Sequence, residues 1–208
     1  MKAAVICHGS IWDFEFHRRL LKDCDIIICA DGGAYHVKKM GMQPHVIIGD
    51  FDSCTREFAQ SFSGAKIIEY PSEKDDTDAQ LAVEYALSNG ADYIMLLGAT
   101  GTRIDHTIAN IGLLLCIADK GVVGELINEY NRATIIKDRA LVKGKGSLVS
   151  LIPYGGDVRG VTLKGFKYPL YDFTLEMGSS RGISNQLVDD IGEISITSGW
   201  LLVVLSRD

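Results

Sequence analysis

The segment VIIGDFDS, residues 46–53, joins an apolar strand to a loop that carries two carboxylates, Asp50 and Asp52. A strand that is apolar at every position is typical of a parallel sheet covered on both faces. Two like charges so close together repel, and each resists ionisation unless a positive charge is near. A turn in which one Asp caps the next helix explains one carboxylate but not both. A bound divalent cation explains both, so the segment predicts a metal site at the end of a buried strand.

Apolar strands alternate with helical patterns over the first 130 residues. The clearest helix is predicted at 76–89, where small and apolar residues recur at every third or fourth position before Asn89-Gly90. The predicted strands are 3–7, 25–30, 46–48, 66–69 and 93–97, and the predicted helices are 14–22, 34–40, 56–62, 76–89 and 107–120. This order predicts a Rossmann-like α/β domain built on a parallel sheet.

The pattern changes near residue 131. Short β-rich pieces punctuated by glycines follow (ATIIK, SLVSLIPY, VRGVTL, DFTLEM, EISIT and WLLVVL), and no helical pattern accompanies them. We therefore expect two domains, an N-terminal α/β domain at 1–130 and a C-terminal all-β sandwich at 131–208.

Composition excludes several function classes. The net charge of −6 argues against a nucleic-acid partner, because phosphate backbones are usually bound by a basic face. The first residues lack the long apolar core of a secretory signal, and the longest apolar helix candidate, 108–118, is too short to cross a membrane. The five cysteines form no CxxC pair and the five histidines show no zinc spacing, which favours free thiols in a cytoplasmic protein.

Ligands of an open parallel sheet bind beyond the carboxyl ends of its strands, and polar residues are concentrated in those loops. Asp31, Gly32 and Gly33 follow the second strand, where backbone N–H groups of a tight turn can meet a phosphate. The same three residues are also ordinary turn chemistry.

The loop after the fourth predicted strand, YPSEKDDTDAQ at 70–80, contains three carboxylates within four residues beside Lys74. These are Asp75, Asp76 and Asp78. One acid is sufficient to cap a helix, so three indicate a ligand, although an over-acidic cap remains the alternative.

The loop after the fifth strand, GATGTRIDHTIAN at 98–110, brings in Arg103, Asp105 and His106. Arginine is suited to bidentate phosphate contacts. The alternatives are a surface ion pair between Arg103 and Asp105 and a histidine that only starts a helix. Taken together, the four loops predict an acidic cleft for Mg²⁺ and a nucleotide polyphosphate. The chain has neither a GxxxxGK[ST] loop nor a GxGxxG fingerprint.

The motifs ADGGA, GDFDS, EKDDTD and GATGTRIDHTIANI, in this order and followed by GFKYPL and SRGISN, resemble the thiamine pyrophosphokinase family, in its bacterial form. The resemblance implies a homodimer whose N-terminal domain binds ATP and Mg²⁺. The C-terminal domain would contribute to the dimer contact and to the thiamine pocket. The implied reaction moves the diphosphate of ATP onto the hydroxyl of thiamine and releases AMP.

The resemblance also implies roles for individual residues. The metal ligands would be Asp50, Asp52 and Asp78, which with Arg103 and Asp105 make the catalytic set. The residues near ATP and its phosphates would be Asp31, Gly32, Gly33, Lys74, Asp75, Thr77 and Arg103. Thiamine would meet Asp105, His106, Ser184, Asn185 and Trp200. Either Asp105, or Asp78 through a water, would accept the hydroxyl proton, and Trp200 would either stack on thiamine or belong to the core.

Three other functions compete with this one. A diphosphokinase for another heterocyclic alcohol, such as a pterin, needs a similar cleft. A non-catalytic nucleotide or thiamine sensor needs no carboxylates arranged for transfer. A metal-dependent phosphohydrolase would need a nucleophilic Asp or a water activated by two metals, and it would form product without an acceptor alcohol.

Overall fold

The structure of the chain, a computed structural model, describes residues 1–207 and divides into two compact units, Met1–Glu129 and Tyr130–Asp208. The first unit contains six strands: β1 Lys2–Ile6, β2 Ile26–Ala30, β3 Val46–Gly49, β4 Lys66–Glu69, β5 Tyr93–Leu97 and β6 Val123–Ile127. Its helices are α1 Phe14–Leu21, α2 Gly33–Lys39, α3 Arg56–Gln60, α4 Asp78–Ser88 and α5 Ile104–Asp119.

The six strands are parallel and lie in the order β4-β3-β2-β1-β5-β6. Ala4 in β1 pairs with Ile27 on one side and Met95 on the other, and all three are buried. The prediction of a Rossmann-like parallel-sheet domain is confirmed. The strand order reverses between β1 and β5, and such a switch point opens a crevice at the carboxyl edge of the sheet.

Helices α4 and α5 begin at different residues from those predicted. Thr77 is extended and its hydroxyl accepts the N–H of Gln80, so α4 starts at Asp78 and leaves residues 75 and 76 in the preceding loop. Arg103 is extended as well, so α5 starts at Ile104, three residues earlier than predicted. Strand β6 was missed by the sequence analysis.

The second unit is antiparallel throughout, and the all-β sandwich expected from the sequence is confirmed. Its strands are β7 Asn131–Ile136, β8 Arg139–Lys143, β9 Leu148–Lys164, β10 Phe173–Leu175, β11 Asn185–Gln186, β12 Ile191–Ser195 and β13 Ser198–Ser206. They lie in the order β7-β13-β9-β12-β8, with β10 and β11 also paired to β9. An apolar core of side chains such as Leu151, Val161 and Leu201 fills this unit.

Strand β9 is one continuous element of 17 residues, where the sequence suggested two separate pieces. Gly155 and Gly156 both have positive φ angles, and the pairing with β13 shifts register in this region. The strand pairs with β13 before and around these glycines and with β12 beyond them. Within residues 1–207, no helix is both long and apolar enough to cross a membrane.

The loop after β1 is held by the carboxylate of Glu129. Its Oε1 accepts the backbone N–H groups of Trp12 at 2.7 Å and Asp13 at 2.8 Å. Asp13 in turn caps α1 by accepting the N–H of Phe16. Burial acts to raise the pKa of Glu129, but these N–H groups and the nearby His17 outweigh it and lower the pKa.

We expect Glu129→Ala to lower the free energy of unfolding by about 2–4 kcal/mol, because two N–H groups lose a charged acceptor. A carboxyl whose pKa is depressed in the folded state stabilises the fold above its unfolded pKa, and this contribution is lost as pH falls through the folded pKa. The difference between Glu129→Ala and wild type should therefore shrink below about pH 4. Urea unfolding at pH 7 and pH 3 measures both effects.

Exposed Glu15, changed to Ala, is the control and should shift stability by no more than about 0.5 kcal/mol. A Glu129 variant as stable as this control would contradict the role of the carboxylate.

Candidate functional site

A cleft of about 540 Å³ opens at the carboxyl edge of the parallel sheet. We call it the carboxyl-end cleft. Its lining comes from the loops after five successive strands and from the helix starts that follow, within residues 7–9, 30–31, 50–53, 72–79 and 98–110. The location is the one expected for a ligand site at a switch point of the strand order.

Three carboxylates converge in this cleft. One oxygen each from Asp31, Asp50 and Asp78 lies within 4.8 Å of the others. Asp31 is buried and its two oxygens accept the backbone N–H groups of Ser53 and Cys54, each at 3.1 Å. The loop after β3 is thereby tied to the end of β2, and the position of Asp31 is fixed.

Burial and the closeness of like charges raise the pKa of carboxyl groups in this cluster. Burial raises the pKa of Asp31, although the N–H groups of Cys54 and Ser53 act in the opposite direction. Burial also raises the pKa of Asp78, with the charges of Asp50 and Asp31 adding to the rise and the ammonium of Lys74 opposing it. The carboxylates are therefore costly to ionise together unless a cation compensates them.

Lys74 provides a compensating positive charge. Its Nζ lies 2.9 Å from Asp78 Oδ1 and 3.4 Å from Asp50 Oδ2. Burial acts to lower the pKa of Lys74, but the contacts with Asp78 and Asp50 outweigh it and the pKa is raised. One ammonium against three carboxylates leaves an excess of negative charge, and all the donors are hard oxygens. This set fits a divalent cation such as Mg²⁺.

Asp52 lies at the border of the same cleft but outside the group of three. Its side chain is exposed, and its Oδ1 accepts the hydroxyl of Ser53 at 2.9 Å. Asp50 turns the loop, since its Oδ1 accepts the N–H of Asp52 at 3.2 Å. The third carboxylate of the cluster is thus Asp31 from the neighbouring strand.

Backbone strain is concentrated near the predicted site residues. Within residues 1–207, four residues other than glycine have positive φ, and Asp31 at 41° and Phe51 at 62° belong to the cleft loops. Ser184 at 55° belongs to the second unit, and the fourth is Asp172. Residues with side chains rarely adopt this conformation unless the surrounding structure enforces it.

Gly32 and Gly33 have a packing role in this structure. A Cβ on Gly33 would lie 1.9 Å from the carbonyl oxygen of Ile6, and one on Gly32 would lie 2.2 Å from His8 Nδ1. Only glycine permits this approach of α2 to β1. Neither glycine lines the cleft.

Arg103 and Asp105 form a bidentate ion pair at the start of α5. Nε to Oδ1 is 3.2 Å and Nη2 to Oδ2 is 2.5 Å, and both side chains are exposed. The guanidinium of Arg103 lowers the pKa of Asp105 to about 2. Arg103 and His106 line the cleft and Asp105 does not. While the pair is intact, Asp105 is a weak proton acceptor and the guanidinium is already occupied.

Of the residues before α4 that were predicted to lie near phosphate, some line the cleft and others do not. Thr77 lines the cleft and caps the helix, and Asp75 lies outside the lining. Asp76 lines the cleft, and its Oδ1 accepts a hydrogen bond from Nε2 of Gln80 at 2.7 Å.

The second unit has its own cavity of about 430 Å³, which Asn185 lines. Both ends of the Asn185 amide are hydrogen-bonded, since Nδ2 donates to the carbonyl of Tyr168 at 2.7 Å and Oδ1 accepts the N–H of Tyr168 at 3.1 Å. Ser184 is exposed, and its N–H donates to Ser150 Oγ at 3.0 Å. Trp200 is half-buried, and the ammonium of Lys137 lies 5.6 Å from its ring centre.

Sequence reasoning missed the contribution of the loop after β1. His8 and Gly9 line the cleft, because β1 is the central strand at the switch point. The signal was available, since CHGS follows an apolar strand as the other loops do. Asn110 was also missed; it is buried and donates to the carbonyl of Ala99 at 2.8 Å, which holds the loop after β5.

Comparison with known proteins identifies related sequences and structures. Residues 17–123 match the family model of the thiamin pyrophosphokinase catalytic domain, and residues 133–201 match that of the thiamin pyrophosphokinase vitamin B1 binding domain. The thiamine pyrophosphokinase of Bacillus subtilis (strain 168) is 33% identical over 186 residues, covering 87% of each chain. Thiamine pyrophosphokinase 1 of Oryza sativa subsp. japonica is 26% identical over 211 residues, covering 87% of this chain and 79% of the other.

Solved structures agree with the sequence matches. The crystal structure of the thiamine pyrophosphokinase from Bacillus subtilis superposes with a TM-score of 0.89 at 29% identity, covering 100% of both chains. That of the thiamin pyrophosphokinase from Geobacillus thermodenitrificans gives 0.86 at 31% identity, covering 100% of this chain and 98% of the other. Since both family models match in order and span most of its length, the chain belongs to the thiamine pyrophosphokinase family.

Proposed function

We propose that this protein is a thiamine diphosphokinase that transfers the diphosphate of ATP to the hydroxyl of thiamine, forming thiamine diphosphate and AMP, with Mg²⁺ as the divalent cation. The observation that carries the proposal is the cluster of Asp31, Asp50 and Asp78, with Lys74 paired to two of them, in a chain of this family. The comparisons do not favour a pterin kinase or a sensor.

The carboxyl-end cleft supplies the groups that this reaction needs from the protein. Asp50 and Asp78 would hold the metal, with Asp31 as the fixed third carboxylate and Asp52 reaching in from the border. When bound, Mg²⁺ supplies charge neutralisation and orientation of the polyphosphate oxygens. Thr77 would lie beside the nucleotide, and Lys74 and Arg103 would take phosphate charge. Asp75 and the glycine turn at 32–33, which lie outside the lining, would act on the nucleotide only through the residues that line the cleft.

Arg103 and Asp105 must separate for both to act. When the guanidinium turns to a phosphate, the carboxylate of Asp105 loses the partner that lowers its pKa, and it becomes a stronger proton acceptor. We propose that this exchange couples binding of ATP to the readiness of Asp105 to take the hydroxyl proton of thiamine. His106, the next residue along the chain, would also contact thiamine.

The second unit would bind thiamine, through Ser184 and Asn185 and with Trp200 stacking on the ring. In a homodimer these residues would be those of the partner chain, as the family resemblance implies. Mass measurement by light scattering tests the dimer. A cytoplasmic location is supported by the five cysteines, all of them free thiols in the structure.

The proposed reaction is tested by incubating the protein with ATP, Mg²⁺ and thiamine and separating the products. We expect equal amounts of AMP and thiamine diphosphate, because one diphosphate is transferred in each turnover. Omission of thiamine should abolish both products, and chelation of the metal with EDTA should do the same. Formation of AMP or ADP without thiamine would indicate a hydrolase instead.

The proposed metal ligands are tested by single changes from Asp to Asn. We expect Asp50→Asn and Asp78→Asn each to lower kcat by about 100-fold or more, because the metal loses a charged ligand while the side-chain shape is kept. Asp52→Asn decides whether the border carboxylate also reaches the metal, and the resemblance predicts a comparable loss. Exposed Asp119, changed to Asn, is the control. Wild-type turnover in the Asp50 variant would remove the metal role of the cluster.

The proposed phosphate contact of Arg103 is tested by Arg103→Lys. Lysine keeps the charge but cannot form the bidentate contact, so we expect kcat/KM for ATP to fall by roughly 10–100-fold. Arg56 is a matched control, since it is an exposed arginine paired with a carboxylate, Glu69, at 2.8 Å. Equal kinetics for Arg103→Lys and Arg56→Lys would show that Arg103 makes only a surface ion pair.

A further inference from the structure

Lys74 occupies an unusual place for a lysine. Its ammonium nitrogen is fully buried and lies against two of the three clustered carboxylates, at 2.9 Å from Asp78 and 3.4 Å from Asp50. Only 14% of its side chain is exposed. Lysine is rarely buried unless it is paired, so the carboxylates are what keep it in the cleft.

The contact between Lys74 and Asp78 is a charge pairing, with the ammonium nitrogen 2.9 Å from the carboxylate oxygen. Lysine presents a point charge on a flexible stem, without the fixed fork of arginine. Residue 74 precedes α4 and belongs to no helix or strand, so its side chain can leave without disturbing either.

The ammonium and a divalent cation compete for the same oxygens. The group of Asp31, Asp50 and Asp78 has three negative charges when ionised, and Lys74 neutralises one of them. A divalent cation bound to Asp50 and Asp78 would stand within a few ångströms of the ammonium, where two positive charges repel strongly. Both cannot hold these oxygens in the arrangement seen here.

We propose that Lys74 is a tethered counter-ion, which neutralises the carboxylates when the divalent cation is absent, leaves them when the cation binds, and then contacts the polyphosphate. This rests on the proposed metal site and adds a positioning role to it. A lysine that only supported the fold of the site would strengthen metal binding, whereas a tethered counter-ion opposes it.

The proposal is tested by whether removing the Lys74 charge strengthens or weakens binding of the divalent cation. Titration calorimetry with Mn²⁺ on the nucleotide-free protein compares wild type with Lys74→Met, which keeps the apolar stem and removes the charge. We expect Lys74→Met to bind Mn²⁺ about tenfold more tightly, because no ammonium has to be displaced. Exposed Lys120, changed to Met, alters the net charge equally and should leave the affinity at the wild-type value.

A second titration uses a non-hydrolysable ATP analogue with Mn²⁺ present. Here we expect Lys74→Met to bind about tenfold more weakly, because the polyphosphate has lost a cation. Unchanged or weaker Mn²⁺ affinity in the first titration would overturn the proposal, and unchanged analogue affinity would overturn its second half.

A measurement on the native side chain covers the case in which Lys74→Met fails to fold. Lysines are labelled biosynthetically with ¹³C at Cε, and the Lys74 signal is assigned by its loss in Lys74→Arg. We expect this signal to move on addition of Mg²⁺ alone, and a signal that stays in place would overturn the proposal.

None of these readouts requires turnover. A protein that binds Mn²⁺ but forms no AMP would therefore contradict the proposed function and leave the role of Lys74 standing, and a protein that binds no divalent cation would overturn both.

Discussion

The convergence of three carboxylates on one point is the constraint around which the N-terminal domain is organised. Asp31, Asp50 and Asp78 come from the ends of β2 and β3 and from the helix after β4, and these three strands are neighbours in the sheet. Neighbouring strands lie about 4.8 Å apart, so residues that follow their carboxyl ends meet without any long excursion of the chain. The parallel order of the sheet thus assembles the charge, and the local loops decide which oxygens face one another.

The loops hold the three carboxylates together through backbone hydrogen bonds and through a residue in the left-handed backbone conformation. The oxygens of Asp31 accept the N–H groups of Ser53 and Cys54, and Asp31 itself has a φ of 41°. Gly49 allows this approach, since a Cβ there would lie 2.8 Å from the Cβ of Asp31. The strain at Asp31 and the repulsion between carboxylates are both unfavourable for folding, and they persist because the rest of the sheet is well packed.

The sequence predicts the sheet and the cleft for a simple reason. Buried parallel strands are apolar throughout, and polar residues directly after them must lie at one edge. Strand β6 lacks this signal, since Val123 is exposed and Glu125 is polar, and β8 is a short strand at the edge of its sheet. The carboxylates of the cluster were individually visible in the sequence. That Asp31 rather than Asp52 joins Asp50 and Asp78 in the cluster depends on backbone angles, which residue types alone do not specify.

Arg103 and Lys74 share a physical principle although they lie on different loops. Each cation is paired with a carboxylate in the structure, and each is of a chemical type that binds phosphate. Such pairing offsets part of the charge of each cation, and in the proposed reaction it would keep both cations beside the cleft where the phosphates bind. Neutralisation by Lys74 is incomplete, since one ammonium cannot balance three ionised carboxylates. With the lysine in place, three ionised carboxylates and one ammonium leave a charge of −2, which one divalent cation would balance. In the proposed exchange the lysine leaves, the carboxylates with their cation have a net charge of −1, and the ammonium is free for the phosphates. The released ammonium, rather than the carboxylates, would therefore supply the positive charge that the polyphosphate meets beside the metal.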